Sequence, residues 1–377
     1  MRVLYLISTF EKGMGGHYYS LESTLKSLKP KVDAIVINIG RMESPVISSL
    51  DCPKYQFIYK YFNFIKIQKR IESIIQEHQI DRIHCFDDRA YLFIRNYRFK
   101  NIPVALTKCG GPNPKYFPKV DNLILFSEEN KQKFKNRDGY KNTYLVPNRI
   151  LPFSPNMEKV NSLKIKLNIE DDSMVFLRIA RISHYYKESI FQSIRLVEQI
   201  PEAILIIVGQ VIDQEVLNQI REKGLDRVHI VDEKEYYKNA KEIIPICNFY
   251  IGTGRGVMEA TSLKKIVLSP VMKRNYPALV TEKTFRSFFN TNFSERNISQ
   301  LSNSQLLREL NEVIESKKRQ KSLSNFSFQM FNENFNLKAK KDWYSQFYKN
   351  LSEASNTDFI DKCTHFLFFH YHYISQA

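Results

Sequence analysis

Glycine is scarce in this chain, with 12 among 377 residues, where ordinary usage is about 7%. Such economy keeps glycine where the backbone needs positive φ or a close approach. Three glycines sit in EKGMGGH (Gly13, Gly15, Gly16), two in KCGGP (Gly110, Gly111) and three in GTGRG (Gly252, Gly254, Gly256). Cysteine is also sparse. The five are odd in number and form no CxxC pair, which argues against a disulfide framework and predicts a reducing, cytoplasmic setting. No run of about 18 apolar residues is present, so no spanning helix is expected. The opening MRVLYLISTF runs straight into EKGMGG and lacks the longer apolar region and cleavage site of a signal peptide. There is no GxxxxGK[ST], no HExxH and no Cys/His cluster with zinc spacing. GMGGHY and GTGRGV both lack the third glycine of the dinucleotide fingerprint, and no acidic residue ends VDAIVINIG. A nicotinamide enzyme is therefore disfavoured.

What is present is the composition of a folded protein, 43% hydrophobic and 25% charged. The length suggests two domains. A net charge of +16 names three partner classes: nucleic acid, an anionic membrane surface, or phosphorylated small molecules. No helix-turn-helix, zinc or RNP pattern supports the first, although a basic nucleic-acid-binding protein remains the alternative by charge. Many of the lysines are scattered as on a solvated surface.

Apolar runs alternate with segments of helical period along both halves. MRVLYLIST reads as a buried strand, and HYYSLESTLKSL as a helix with Tyr18, Leu21, Leu25 and Leu28 on one face. Further strands are VDAIVINI, IDRIHCF, NIPVALT, NLILFS and TYLVPNRI, with Ser127 capping a helix at SEENKQKFK. The second half repeats the scheme with SMVFLRIARI, AILIIVG, RVHIVD, CNFYIGTG and KIVLSP. The pattern predicts an α/β chain with two doubly wound, Rossmann-like units. One unit spans 1–150 and the other 165–330, joined where RILPFSPNMEKVNS loses its period; a helical segment and aromatic tail follow over 331–377. The tail KCTHFLFFHYHYISQA reads as a packed terminal strand or helix, with an interfacial membrane contact as the other option. His370 alternates with aromatics there as in a strand or on a surface.

All three glycine clusters fall at the carboxyl ends of expected strands, where open α/β sheets bind ligands. Strand-to-helix turns there expose N–H groups that favour anions. In the second half Arg181 ends a strand, Lys187 opens a helix, and Glu259 follows Arg255. Two such cations can hold a diphosphate, Arg as a fork and Lys as a point charge. A carboxylate at a helix start can accept hydrogen bonds from ribose hydroxyls.

Taken in order, five segments resemble the GT-B glycosyltransferases, and within them the large retaining family four. These are MRVLYLISTFEKGMGGHYYSLESTL, LVPNRI, LRIARISHYYKESI, AILIIVG and YIGTGRGVMEATSLKKIVLSP. The resemblance implies two Rossmann-like domains facing a cleft, with a C-terminal helix returning to the first. It implies a nucleoside diphosphate sugar as donor, bound mainly by the second domain, with transfer that retains anomeric configuration and needs no metal or cofactor. By position, Arg181 and Lys187 would neutralise the diphosphate and Glu259 would bind the ribose. Gly15, Gly16, Gly209, Gly254, Arg255 and Gly256 would line the donor. His17, Asp88, Lys108 and Asn113 are candidates on the acceptor side. A lipid-linked saccharide of bacterial envelope polysaccharide synthesis is the expected acceptor, with Lys60, Lys66, Lys69 and Arg70 available to anionic lipid at the inner membrane face.

Two departures mark this chain. Ile251 stands where the family usually has the first of two glutamates, so contacts to sugar hydroxyls must differ, with Arg255 a candidate. Thr107-Lys108-Cys109-Gly110-Gly111 stands where many members carry a histidine; His17 and His84 lie on neighbouring strand ends without replacing it. A nucleotide-sugar binder that kept the fold and lost the chemistry is the further alternative. Asp87-Asp88-Arg89 resembles a DxD metal motif only superficially, and Cys109, without a histidine partner, reads as a small loop residue.

Overall fold

The computed structural model describes residues 1–10, 13, 15–95, 102–352 and 359–375. The chain forms two compact units, residues 1–151 with 337–377, and residues 152–336.

The first unit is built on a seven-stranded parallel sheet of β1 (Arg2–Thr9), β2 (Asp33–Gly40), β3 (Lys54–Ile58), β4 (Arg82–Cys85), β5 (Val104–Lys108), β6 (Asn122–Leu125) and β7 (Asn142–Leu145). The order across the sheet is β3-β2-β1-β4-β5-β6-β7. Along β1 successive side chains enter opposite cores: Leu4 and Leu6 pack on one face, Val3, Tyr5 and Ile7 on the other. This is why the strand reads as an unbroken apolar run, as expected of a parallel sheet covered on both sides. The helix Gly16–Leu28 buries Tyr18, Leu21, Leu25 and Leu28, the face its spacing marks. Tyr18 Oη donates to the Ser8 carbonyl at 2.7 Å and ties that helix to the end of β1. Ser127 Oγ accepts from Asn130 N at 3.2 Å and caps the helix Glu128–Lys135.

The chain re-enters this unit at Leu337, whose N–H donates to the Ile150 carbonyl at 3.0 Å. The helix Lys341–Lys349 then places Tyr344, Phe347 and Tyr348 in the core beside Tyr5. The aromatic tail is a helix, Phe359–Ser375. His370, read as a strand or surface residue, is buried on that helix, and Tyr59 Oη lies 2.7 Å from its Nε2. Asp361 pairs with the fully buried Arg95 side chain and accepts the Lys119 N–H at 3.1 Å.

The second unit carries a six-stranded sheet of β8 (Met174–Ile179), β9 (Ala203–Val208), β10 (Val228–Val231), β11 (Phe249–Ile251), β12 (Ile266–Ser269) and β13 (Ala278–Leu279). The order is β10-β9-β8-β11-β12-β13, and only the pairing of β13 with β12 is antiparallel. Its core joins Phe176, Leu205, Ile207, Phe249, Ile251 and Leu268 of the sheet to Ile190, Ile194 and Val197 of the helix Lys187–Glu198. Each such fully buried side chain contributes about 1.5–3 kcal/mol. A helix, Met157–Lys166, occupies the stretch whose sequence loses its period. Asn156 caps it by accepting from Lys159 N at 3.1 Å, and Val160 and Leu163 are its buried anchors.

No helix among the described residues is long and apolar enough to cross a membrane.

Candidate functional site

In each sheet the strand order reverses direction at one point, and there the connecting helices diverge to opposite faces. Ligands of open α/β sheets bind outside the carboxyl ends of the strands at such a point. In the second unit it lies between β8 and β11, which are adjacent and parallel.

The connection after β8 begins at Ala180-Arg181. Arg181 is exposed, and among the described residues it makes no side-chain hydrogen bond or ion pair. Gly209, at the end of β9, explains how close the two strands run: a Cβ there would lie 1.7 Å from the Ala180 carbonyl oxygen. Gly209 is thus a packing requirement of the sheet, and its expected donor contact is not needed to explain it. A short 3-10 turn, His184–Tyr186, leads into the helix Lys187–Glu198. Lys187 is the first helical residue, half-buried, and likewise makes no side-chain hydrogen bond or ion pair among the described residues. No side chain caps this helix; the Lys187 N–H donates to the His184 carbonyl of the preceding turn.

After β11 the chain turns through Gly252 and Thr253 into the helix Gly254–Ser262, also without a side-chain cap. Gly254 has φ +49°. Gly252 and Gly256 flank the buried Tyr250 ring: a Cβ on Gly252 would lie 2.2 Å from Tyr250 Cε1, and one on Gly256 2.2 Å from Tyr250 Oη. Two of the three glycines in GTGRG therefore make room for a tyrosine. Arg255 Nε donates to Glu259 Oε1 at 2.8 Å, within the same helix. Arg255, proposed for sugar hydroxyls, and Glu259, proposed for ribose, are in this structure each other's partners.

Two residues without a motif join this point. Arg178, inside β8, is fully buried; its Nη2 donates to Ser189 Oγ at 2.7 Å and to Glu295 Oε1 at 3.0 Å. Burial raises the Glu295 carboxyl above its ordinary value despite the opposing pull of Arg178 and the Ser189 hydroxyl. A charged residue in the otherwise apolar MVFLRI was the signal for Arg178. Nothing in NTNFSERN marked Glu295.

In the first unit the sheet reverses between β1 and β4. The Asp87 carboxylate spans it, accepting from Ser8 N and Ala90 N, both at 2.7 Å. Asp88 opens the helix Asp88–Arg95, and burial, helped by Asp87, raises its carboxyl. Gly15 precedes the helix Gly16–Leu28, and Gly16 is open: a Cβ there would meet nothing within 4 Å. His17 packs against Tyr18, the rings tilted by 39° with centroids 3.9 Å apart. These residues gather at the reversal. Lys108 and Asn113 serve the KCGGP loop instead. Lys108 Nζ donates to the Gly110 carbonyl at 2.6 Å, and Asn113 Oδ1 accepts from Asn130 Nδ2 at 2.8 Å. His84 is inside β4, not at its end, with Nδ1 2.7 Å from Tyr348 Oη and Nε2 2.6 Å from Thr107 Oγ1. Burial holds its pKa down to about 3. The Cys109 thiol is pushed far up by burial and donates to the Phe86 carbonyl at 3.3 Å, which suits a loop residue and not a nucleophile.

No protein-family model matches the chain, and no curated protein sequence matches it. Solved structures do match. A glycosyltransferase from Rickettsia africae is similar at 16% identity and TM-score 0.69, over 93% of this chain and 98% of its own. Anabaena Alr3699/HepE, solved with UDP, is similar at 15% identity and TM-score 0.70, over 93% of this chain and all of its own (100%). The UDP-GlcNAc 2-epimerase of Neisseria meningitidis, solved with UDP-GlcNAc, is similar at 14% identity and TM-score 0.57, over 93% and 100%. These likenesses establish the fold, that of the GT-B glycosyltransferases. The same fold serves a transferase and an epimerase, so activity has to be argued from the site.

Proposed function

We propose that the chain is a retaining glycosyltransferase that moves a sugar from a nucleoside diphosphate sugar to a saccharide acceptor. The observation that carries this reading is the pair of uncommitted cations, Arg181 and Lys187, at the reversal point of the second sheet. A diphosphate suits this combination, a planar fork beside a point charge. When the glycosidic bond breaks, negative charge grows on the departing diphosphate, and fixed cations there stabilise the transition state more than the ground state. The two side chains fill the role a metal would otherwise take. Glu259 receives the ribose hydroxyls, oriented by Arg255. The acceptor hydroxyl attacks from the face the diphosphate leaves and passes its proton to the departing phosphate oxygen, which preserves configuration.

The acceptor we propose is lipid-linked, in bacterial envelope polysaccharide synthesis at the cytoplasmic membrane. Phe62 and Ile65 are 85% and 65% exposed in the first unit, in the same segment as the exposed Lys60, Lys66 and Lys69, with Arg70 paired to Glu77. Phe366 of the C-terminal helix packs on Phe64 there with centroids 5.5 Å apart, and the same helix exposes Leu367 and Tyr371. Exposed apolar side chains among cations suit an anionic interface.

The test is incubation with sugar nucleotides and saccharide acceptors, followed by NMR of the product's anomeric proton. A glycoside with the donor's anomeric configuration is expected. An epimerised sugar nucleotide formed without any acceptor would instead identify an epimerase. Tight, salt-sensitive duplex DNA binding with no sugar-nucleotide binding would support the nucleic-acid alternative.

A further inference from the structure

The buried Arg178 and its carboxylate partner converge on the reversal point from distant parts of the chain. Arg178 points from β8, and besides Ser189 and Glu295 its Nη1 reaches the Ile251 carbonyl at 3.4 Å. It thereby joins the end of β11, the first turn of the helix Lys187–Glu198 and the loop Thr291–Asn297. That loop is fixed at both strand ends. The Phe293 carbonyl accepts from Gly254 N at 3.1 Å, and Asn297 Nδ2 donates to Ser269 Oγ at 2.7 Å and to the Pro270 carbonyl at 3.0 Å. Asn297 is itself fully buried, and Met272 N donates to its carbonyl at 2.8 Å. Asn292 and Phe293 both have positive φ, so the loop holds a conformation the surrounding bonds must impose. The Glu295 side chain keeps 20% of its exposure where Arg178 has none. The carboxylate is held by Arg178 and the Ser189 hydroxyl, on a side chain that still reaches solvent.

We propose that Glu295 is the residue that recognises the donor's sugar, accepting hydrogen bonds from its hydroxyls while Arg178 holds it in place. This rests on the nucleotide-sugar reading above. The charges divide the work. A carboxylate repels a diphosphate, which belongs to Arg181 and Lys187; vicinal hydroxyls are the neutral donors a carboxylate accepts from. Ile251, apolar and buried, supplies no such group at the end of β11. Glu295 brings a carboxylate to that place from a loop much later in the chain.

The experiment measures, by calorimetry, the affinity for a nucleoside diphosphate and for its sugar derivative: UDP and UDP-glucose, ADP and ADP-glucose, GDP and GDP-mannose. It uses the parent, Glu295→Gln and Glu295→Asp. Both variants should keep the diphosphate affinity within about twofold and weaken the sugar derivative at least about tenfold, one lost hydroxyl contact to a charged group. If either variant leaves a buried guanidinium unpaired and unfolds, the double variant Arg178→Met/Glu295→Leu removes both charges together, and it should show the same loss of sugar preference. Parent-like affinities for both ligands overturn the proposal and leave Glu295 as the counter-ion of Arg178; so does a lower melting temperature with an unchanged affinity ratio. A parent that binds none of the six ligands overturns the nucleotide-sugar reading itself, and the role of Glu295 falls with it.

Discussion

Arg181 and Lys187 have side chains that the second unit does not use to hold itself together, so removing them should cost function and little else. Lys187→Ala and Arg181→Ala should each lower kcat/KM about 10²–10³-fold, the usual effect of deleting one group that stabilises developing charge. Their melting temperatures should stay within about 2 °C of the parent, since neither loses a hydrogen bond or ion pair. Calorimetric unfolding beside initial rates checks both halves of that statement; a large fall in stability would mean they are structural. Glycines divide in the same way. Gly16→Ala meets nothing and should fold normally, whereas Gly209→Ala drives a Cβ into the Ala180 carbonyl and should destabilise the second unit by at least about 3 kcal/mol in denaturant unfolding. The places of Arg181 after a strand and of Lys187 at a helix start were legible in the sequence, because an apolar run and a helical period bracket them. Glu295 was not, because its loop has no period and its partner is visible only once β8 is folded.

At the level of elements, strands were the most legible part, since a parallel sheet covered on both faces has to be written in apolar runs. The GTGRG loop looked like an anion cradle, but two of its glycines answer to Tyr250. Gly256→Ala should therefore be destabilising in the parent and milder in Tyr250→Phe, where the clashing Oη is gone; equal penalties in the two backgrounds, measured by denaturant unfolding, would contradict this. The C-terminal helix was ambiguous for a different reason. Aromatic residues surround it, which hides its period, and the alternation of His with aromatics imitates a strand. Its buried side is marked by Asp361, His365 and Phe369, spaced four apart as only a helix would place them. Asp361→Ala leaves the Arg95 guanidinium buried without its carboxylate and should cost the first unit about 3–5 kcal/mol, read from its unfolding midpoint.

Across the whole molecule, the first unit carries an acid-sensitive pair. Burial holds both His84 and His365 at about pKa 3, while the unfolded chain protonates histidine near 6.5. The unfolded state thus binds more protons between these values, so stability is complete above about pH 6.5 and falls as pH drops, by up to about 1.4 kcal/mol per pH unit for each histidine. Asp88, with its raised carboxyl, works in the opposite sense at the acid end. Denaturant unfolding between pH 7.5 and 5 should show the decline, to which the lowered His370 adds in the same sense, and His365→Phe should make it shallower; a flat profile would contradict the burial of these rings. A charge of +16 is compatible with three partner classes and fixes no geometry. Position came from the sheet orders, which put Arg181 and Lys187 at a reversal point in one unit and His17 and Asp88 at the reversal point of the other.

The second unit is proposed to bind a nucleoside diphosphate sugar through Arg181 and Lys187. Thermal unfolding against uridine, guanosine and adenosine diphosphate sugars reads that binding. At about 100 times its dissociation constant, one of these ligands should stabilise the parent by about 2.7 kcal/mol and raise its melting temperature by several degrees. In Lys187→Ala and Arg181→Ala that rise should shrink or vanish. A parent whose melting temperature none of the three shifts, or variants that respond as the parent does, would contradict the account.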